Sequence, residues 1–147
     1  ADTLLRSDGT DPAWTTVANA LSASVATKAN MEAASSTSLL VTPGRAQHHP
    51  GVAKCWGVFT FSGTVNNSYN ITSITDGGTG IVDVTIGTDF SDVNWAPLPS
   101  VYINTAIFAS TRSDSAIATG TCRLGSWNDA GAAADGTAMN FAGFGPQ

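Results

Sequence analysis

The spacing of apolar positions changes along the chain, and the change falls near Pro50. Before Pro50, apolar residues recur every three or four positions in a background of Ala, Ser and Thr, which is the period of a helix. After Pro50, apolar and polar residues alternate in short runs separated by Gly, Asn and Asp, as in β-strands. The pattern predicts a mainly β protein, with a shaft or neck of short helices over residues 1–52 and a β-sandwich tip domain over residues 53–147.

The longest predicted helix covers residues 13–26, after a stretch of turn-forming residues that ends at Pro12. Its apolar stripe is narrow and consists of Trp14, Val17, Leu21 and Val25. Such a stripe is typical of helices that pack against copies of themselves around a shared axis. The alternative is an ordinary helix that packs its stripe on the β domain of the same chain.

Two shorter helices are predicted between this helix and Pro50. Thr27 is placed to cap the first, over residues 27–34. Thr42 is placed to cap the second and is followed by Pro43, which favours the first helical position of that helix. Pro50 and the adjacent glycine end that helix after one or two turns.

Six strands in an antiparallel sandwich are predicted beyond Pro50. They cover residues 56–61, 69–74, 81–86, 101–108, 115–123 and 138–144. Short strands separated by Gly and Asx turns are typical of a sandwich or barrel. The connection over residues 87–100 contains Pro97 and Pro99, which exclude a central strand there.

The composition and charge of the chain limit the partners that it is expected to bind. The chain is 42% hydrophobic but only 12% charged, well below the roughly 25% that is usual in globular domains. Its net charge is −5, and its six Lys and Arg residues are spread singly, so no basic patch is predicted for nucleic acid or an anionic bilayer. No apolar run approaches the roughly 20 residues that a membrane span needs. We therefore expect neither nucleic-acid binding nor membrane insertion.

The cysteines and histidines give little support for a metal or a cofactor. Cys55 and Cys122 fit no metal-binding or redox spacing and are predicted to be small apolar residues in strands, with a disulfide as the alternative. His48 and His49 are adjacent and cannot form a chelating i, i+4 pair. A weak alternative is a metal site made by one of them from each of three copies. We predict no cofactor.

No catalytic arrangement is evident, and we predict that the chain is not an enzyme. The single glutamate, Glu32, lies in the neck, so an acid pair for glycoside cleavage would need Asp89 with Asp92 or Asp76 with Asp83. Aspartates in such positions are far more often turn formers. Calcium binding by Asp76, Asp89 or Asp92 lacks the EF-hand consensus.

The predicted polar loops are better suited to binding than to catalysis. They contain aromatic side chains, which stack on sugar rings and contribute strongly to contacts between proteins. Trp95 and Trp127 lie in predicted loops, whereas Trp14 and Trp56 lie in periodic elements and are expected to be buried. Packing in the core or between copies is the alternative for Trp95 and Trp127. The predicted receptor-binding residues are Asn94, Trp95, Arg112, Trp127, Asn128 and Asp129.

Several runs occur in a distinctive order. They are Met31-Glu32-Ala33-Ala34-Ser35-Ser36, Val41-Thr42-Pro43-Gly44-Arg45, His48-His49-Pro50-Gly51-Val52-Ala53-Lys54, Tyr69-Asn70-Ile71-Thr72-Ser73-Ile74-Thr75-Asp76 and Asn140-Phe141-Ala142-Gly143-Phe144-Gly145. Together they resemble the neck and receptor-binding tip of tailed-bacteriophage tail fibre proteins. The resemblance implies a homotrimer in the virion, assembled in the host cytoplasm. Its implied partners are other phage tail proteins and a bacterial surface glycan or outer-membrane protein.

The resemblance also implies a function, the binding of a receptor on the host-cell surface, and two other functions are alternatives to it. One is a structural virion protein, such as a decoration or connector domain, that binds no receptor. The other is an enzyme that degrades capsular polysaccharide, which is disfavoured because no acid pair stands out in the sequence.

Overall fold

A computed structural model of the chain describes residues 3–7, 12–16, 25–103 and 106–147. The chain divides into two compact units, residues 1–49 and residues 50–147. The fold is mainly β, with two four-stranded antiparallel sheets in the second unit and short helices in the first.

In the first unit, strand β1 (Thr3–Ser7) pairs antiparallel with β2 (Pro12–Thr16), and residues 25–49 contain two short helices. Helix α1 (Lys28–Ala33) has a capping box in which Thr27 Oγ1 accepts from the Asn30 amide, and Asn30 Oδ1 accepts from the Thr27 amide. Helix α2 (Pro43–Ala46) begins with its proline after Thr42. The two predicted short helices, the cap at Thr27 and the proline at the start of α2 are confirmed, but Thr42, which was also predicted as a cap, makes no side-chain capping hydrogen bond.

The predicted helix over residues 13–26 is wrong where the structure describes it. Trp14 lies in strand β2 opposite Leu5, and Val25 forms an isolated parallel bridge with Leu40. The reason is that the aromatic and threonine residues of β2 suit a strand, and β1 supplies its hydrogen-bonding partner. Val17 and Leu21, the other two residues of the predicted stripe, lie outside the described residues.

Eight strands form the two sheets of the second unit. The first sheet has the order β4-β3-β10-β7 and contains β3 (Cys55–Phe59), β4 (Val65–Tyr69), β7 (Ala96–Tyr102) and β10 (Ala138–Phe144). The second sheet has the order β5-β6-β9-β8 and contains β5 (Ile71–Gly78), β6 (Ile81–Ile86), β8 (Ile107–Thr111) and β9 (Thr121–Asn128). Every pairing is antiparallel.

The two sheets share one hydrophobic core. Phe59 and Met139 of the first sheet belong to the same buried cluster as Val82 and Leu124 of the second, and each of the four is fully buried. Burial alternates along β6, where every second residue is buried. This period of two places one face of each sheet in the core and leaves the other outside.

Cys55 and Cys122 are free thiols in the shared core, as favoured from the sequence. Burial raises the pKa of Cys55 to about 11 and that of Cys122 to about 12. Both thiols are therefore protonated at neutral pH and pack as small apolar side chains.

The structure differs from the sequence prediction in strand number. β7 lies largely inside the predicted connection, because Pro97 and Pro99 are tolerated in a strand at the edge of the sheet. The strand predicted over residues 69–74 is divided at Asn70, whose φ is 54°, into β4 and β5. Only residues 121–123 of the strand predicted over 115–123 are in β9.

Candidate functional site

The structure brings together two of the six predicted binding residues, Arg112 and Trp127. Trp127 lies near the end of β9, and Arg112 directly follows β8. The guanidinium carbon of Arg112 is 5.6 Å from the centroid of the Trp127 ring, which is cation–π geometry. The two residues border a shallow depression with Ser110, Thr111, Ser113 and Asp114. We call these six residues the Arg112–Trp127 patch.

The side chains of Trp127 and Arg112 both pack directly over Gly125. A Cβ atom at Gly125 would lie 2.5 Å from Trp127 Cη2 and 2.8 Å from Arg112 Cγ. The indole and the aliphatic stem of the arginine therefore lie flat on the sheet over a position that has no side chain. A glycine in a strand often marks such a close approach.

Two ion pairs orient Arg112 in the patch and Arg123 next to it. Arg112 donates to both carboxylate oxygens of Asp114, with Nε–Oδ1 and Nη2–Oδ2 distances of 2.9 and 2.7 Å. Arg123 binds Asp83 in the same bidentate way, at 2.7 and 2.9 Å. The hydrogen bond from Arg112 lowers the pKa of Asp114. The charges of the two arginines and the two aspartates cancel, so these four residues together are neutral, although positive and negative groups are both partly exposed.

Phe108 adds an aromatic ring that the sequence prediction missed. It lies opposite Trp127 in the pairing of β8 with β9 and is 64% exposed. The sequence of β8, Ile-Phe-Ala-Ser-Thr, does not alternate between apolar and polar residues, so it did not indicate that Phe108 lies on the outer side. The outer surface of the second sheet thus carries two neighbouring rings beside hydroxyl and guanidinium groups.

Asn128 and Asp129 follow Trp127 in the turn after β9. Asn128 Oδ1 accepts hydrogen bonds from the amides of Ala130 and Ala132, at 3.1 and 2.9 Å. Its carboxamide oxygen is therefore used to shape the turn. Asp129 is exposed, and its predicted part in receptor binding stays a prediction.

Trp95 does not offer its ring to a partner, so the predicted surface role is corrected. It is only 4% exposed, and its ring stacks on Phe90 with centroids 4.4 Å apart. Its Nε1 donates to the Ala118 carbonyl oxygen at 2.8 Å. A buried indole needs such an acceptor, and the loop of Phe90 and Trp95 supplies part of the core.

Asn94 lies in a loop, as predicted, whereas Trp56 lies in surroundings that the sequence did not predict. The amide of Asn94 donates to Asp92 Oδ1 at 2.7 Å, which is an Asx turn, and the Asn94 side chain is exposed. Trp56 was expected to be buried but is 38% exposed. Its strand alternates, and Trp56 falls on the outer side, between the buried Cys55 and Gly57.

The two histidines belong to the first unit. His49 lines a small cavity beside Met31 and Ala26. Within the described part of the chain, His48 Nδ1 is a buried nitrogen without a hydrogen-bond partner. No group of three or more His, Cys, Asp or Glu side chains among the described residues is arranged to hold a metal ion. A metal site shared between copies at His48 or His49 stays a prediction.

Comparisons with known proteins leave the chain without an assigned family. No family of known proteins, no curated protein sequence and no solved structure shows a significant match to it. Among the described residues, no helix has the length and apolar character needed to cross a bilayer.

Proposed function

We propose that this chain is the distal, receptor-binding end of a tailed-bacteriophage tail fibre, with a β-sandwich head that attaches to the host surface without catalysis. The observation that carries the binding part is the Arg112–Trp127 patch with its neighbouring Phe108 ring. The order of the sequence runs around the neck and the closing strand supports the fibre part. We further propose that the chain acts as a homotrimer in the virion and contacts other tail proteins.

The chemistry of the patch suits a bacterial surface glycan. The faces of the Trp127 and Phe108 rings can stack on the apolar faces of sugar rings. Arg112 offers guanidinium donors, and Ser110, Thr111 and Ser113 offer hydroxyls that both donate and accept. The depression is shallow, so each contact is weak, and several fibres together would supply the strength of attachment.

At the patch itself, the surroundings of two carboxylates favour binding over catalysis. A glycosidase needs one carboxylic acid whose pKa is raised so that it can donate a proton. Asp114 has the opposite shift, because the Arg112 guanidinium lowers its pKa. Asp83 is held in a bidentate pair with Arg123. These two carboxylates therefore serve to orient the arginines.

The test is binding of the purified protein to a panel of bacterial strains and to an array of bacterial surface glycans. We expect binding to at least one strain, and we expect Trp127→Ala to weaken it by about tenfold or more because truncation of aromatic hot spots has effects of this size. Arg112→Gln should also weaken binding. Arg45→Gln is its matched control, since Arg45 is exposed in helix α2.

The outcome separates receptor binding from the alternative of a structural virion protein. Circular dichroism must first show that each variant has the wild-type fold. If Trp127→Ala and Arg112→Gln proteins bind the same strains as tightly as the wild type, the patch is not the receptor site. If no strain and no glycan is bound while phage tail proteins are, the connector function replaces the proposed one.

A further inference from the structure

The two sheets differ in charge. None of the four strands of the first sheet contains Asp, Glu, Lys or Arg. The second sheet carries Asp76, Asp83 and Arg123 within its strands. Solvent-exposed protein surfaces usually carry charged side chains of both signs, and a low net charge promotes association. A four-stranded sheet without any charge is therefore unusual for a surface that faces only water.

The outward side of the first sheet is also rich in large apolar side chains. The strand register aligns Tyr69, Trp56, Ala142 and Leu98 in one row across all four strands. In this row Tyr69 is 49% exposed, Trp56 38% and Leu98 57%, and Tyr102 near the end of the sheet is 68% exposed. The next row contains Asn67, Val58, Asn140 and Ser100, so three of its four residues are polar. We call the outward side of these two rows, with Tyr102, the uncharged face.

The charge of the whole chain points to what covers this face. Each copy has a net charge of −5, so two copies that approach through charged surfaces repel one another. The uncharged face lacks that repulsion. Copies that approach through this face therefore bring no charged residue of the four strands close to another.

The polar row is also complementary to itself. A carboxamide both donates and accepts hydrogen bonds, and so does a hydroxyl. Amides and hydroxyls of one copy can therefore pair with those of another, which two rows of carboxylates or of ammonium groups cannot do. In a ring of three copies each contact joins two different parts of the same face, and Asn67 and Ser100 lie on the two edge strands of that face.

We propose that the uncharged face of the first sheet is the contact between the β heads of neighbouring copies of this chain. The proposal deepens the proposed homotrimer by naming its head-to-head surface, and it leaves the Arg112–Trp127 patch on the other sheet free for a receptor. In a three-fold assembly the uncharged faces surround the axis.

The size of the face predicts weak association by the heads alone. Four strands about 4.8 Å apart with about five residues each at roughly 3.4 Å per residue cover a plan of about 20 by 17 Å. A stable interface buries about 800 Å² on each partner. The heads therefore need a second contact, or a high local concentration, to stay together.

The experiment is light scattering of the full chain over a range of protein concentrations. We expect the wild-type mass to rise with concentration above the 15.0 kDa of one chain. Leu98→Glu with Tyr102→Glu places two carboxylates on the exposed strand β7. It should raise the dissociation constant by about tenfold or more, because like charges then oppose each other across the contact.

The control is Val93→Glu, which adds one carboxylate at a residue that is 50% exposed and lies outside both sheets. It should leave the association unchanged. Circular dichroism confirms that the variants fold. The proposal is overturned if the wild type stays at 15.0 kDa at every concentration, or if the double variant associates as tightly as the wild type. Loss of glycan binding by the double variant without any change in mass would also overturn it, in favour of a sugar on this face.

These outcomes are separate from those of the receptor test. A monomer that binds bacteria through Trp127 would refute the contact between heads and keep the receptor function. An assembly that the double variant dissociates, but that binds no strain or glycan, would keep the contact between heads and refute the receptor function.

Discussion

Asp83 and Arg123 face each other directly across strands β6 and β9, and two hydrogen bonds of 2.7 and 2.9 Å join them. Arg123 Nη1 also lies 3.9 Å from Asp114 Oδ2. Since Asp114 binds Arg112, a row of alternating charges leads from the middle of the sheet to the patch. Exposed ion pairs contribute little to stability, so the value of this row lies in the orientation of Arg112.

The first prediction concerns the titration of Asp114. Its hydrogen bond with Arg112 lowers the folded-state pKa below the ordinary value of 3.8. The stabilisation is therefore present at neutral pH and is lost as the pH falls below that value through the lowered pKa. NMR titration of the Asp114 carboxyl carbon should give a pKa below 3.8 in the wild type. In Arg112→Gln protein the pKa should rise, and an unchanged pKa would contradict the pairing.

The second prediction concerns the floor of the patch. In Gly125→Ala protein the new methyl group meets the Trp127 ring and the Arg112 stem. Both are side chains at the surface, so we expect them to be displaced while the fold is kept. Tryptophan fluorescence should shift and binding to bacterial cells should weaken. Gly44→Ala is the matched control, because nothing lies within 4 Å of a Cβ there. Equal behaviour of the two variants would contradict the packing.

The third prediction concerns the shared core. Phe59 is fully buried among residues of both sheets, and truncation of such a side chain costs about 3–5 kcal/mol. Phe59→Ala should lower the free energy of unfolding by this amount in urea denaturation. Val93→Ala should change it by less than about 0.5 kcal/mol, as substitutions at exposed sites usually do. A Phe59→Ala protein as stable as the Val93→Ala protein would show that the sheets do not share this core.

The fourth prediction concerns the two thiols. Burial raises the pKa of Cys55 to about 11 and that of Cys122 to about 12, and only the thiolate reacts readily. A thiol reagent at pH 8 should therefore label neither cysteine in the native protein and both in denaturant. Because the folded-state pKa values are raised, the stability that they contribute is present below pH 9 and is lost as the pH rises towards 11. Cys55→Ala/Cys122→Ala protein should lose less stability over this range.

Strands with a clear alternation could be predicted from the sequence almost residue by residue. β6 and β10 were predicted with the bounds that the structure has. Their inward positions are apolar and their turns contain glycine, so local pattern and tertiary environment agree. The capping of α1 by Thr27 was equally local and could be predicted.

Features that depend on tertiary contacts could not be predicted in this way. The exposure of Trp56 follows from the register of β3, and a shift of one residue would reverse it. The burial of Trp95 depends on Phe90, which lies outside the strands, and on the Ala118 carbonyl, which is 23 residues away in the sequence. Of the candidate site, the sequence supplied Arg112 and Trp127 but not their contact, since that contact requires Gly125 beneath them.

The two edge strands of the first sheet, β4 and β7, differ because only β7 contains prolines. A proline nitrogen cannot donate to β10, so the nitrogens of Pro97 and Pro99 must face the unpaired side of β7. An incoming strand would find no amide hydrogen at either position, whereas the β4 border at the opposite end contains no proline. Backbone pairing of the first sheet with another molecule is therefore favoured at β4 and opposed at β7, which hinders repeated edge-to-edge stacking of this sheet because such stacking needs both edges.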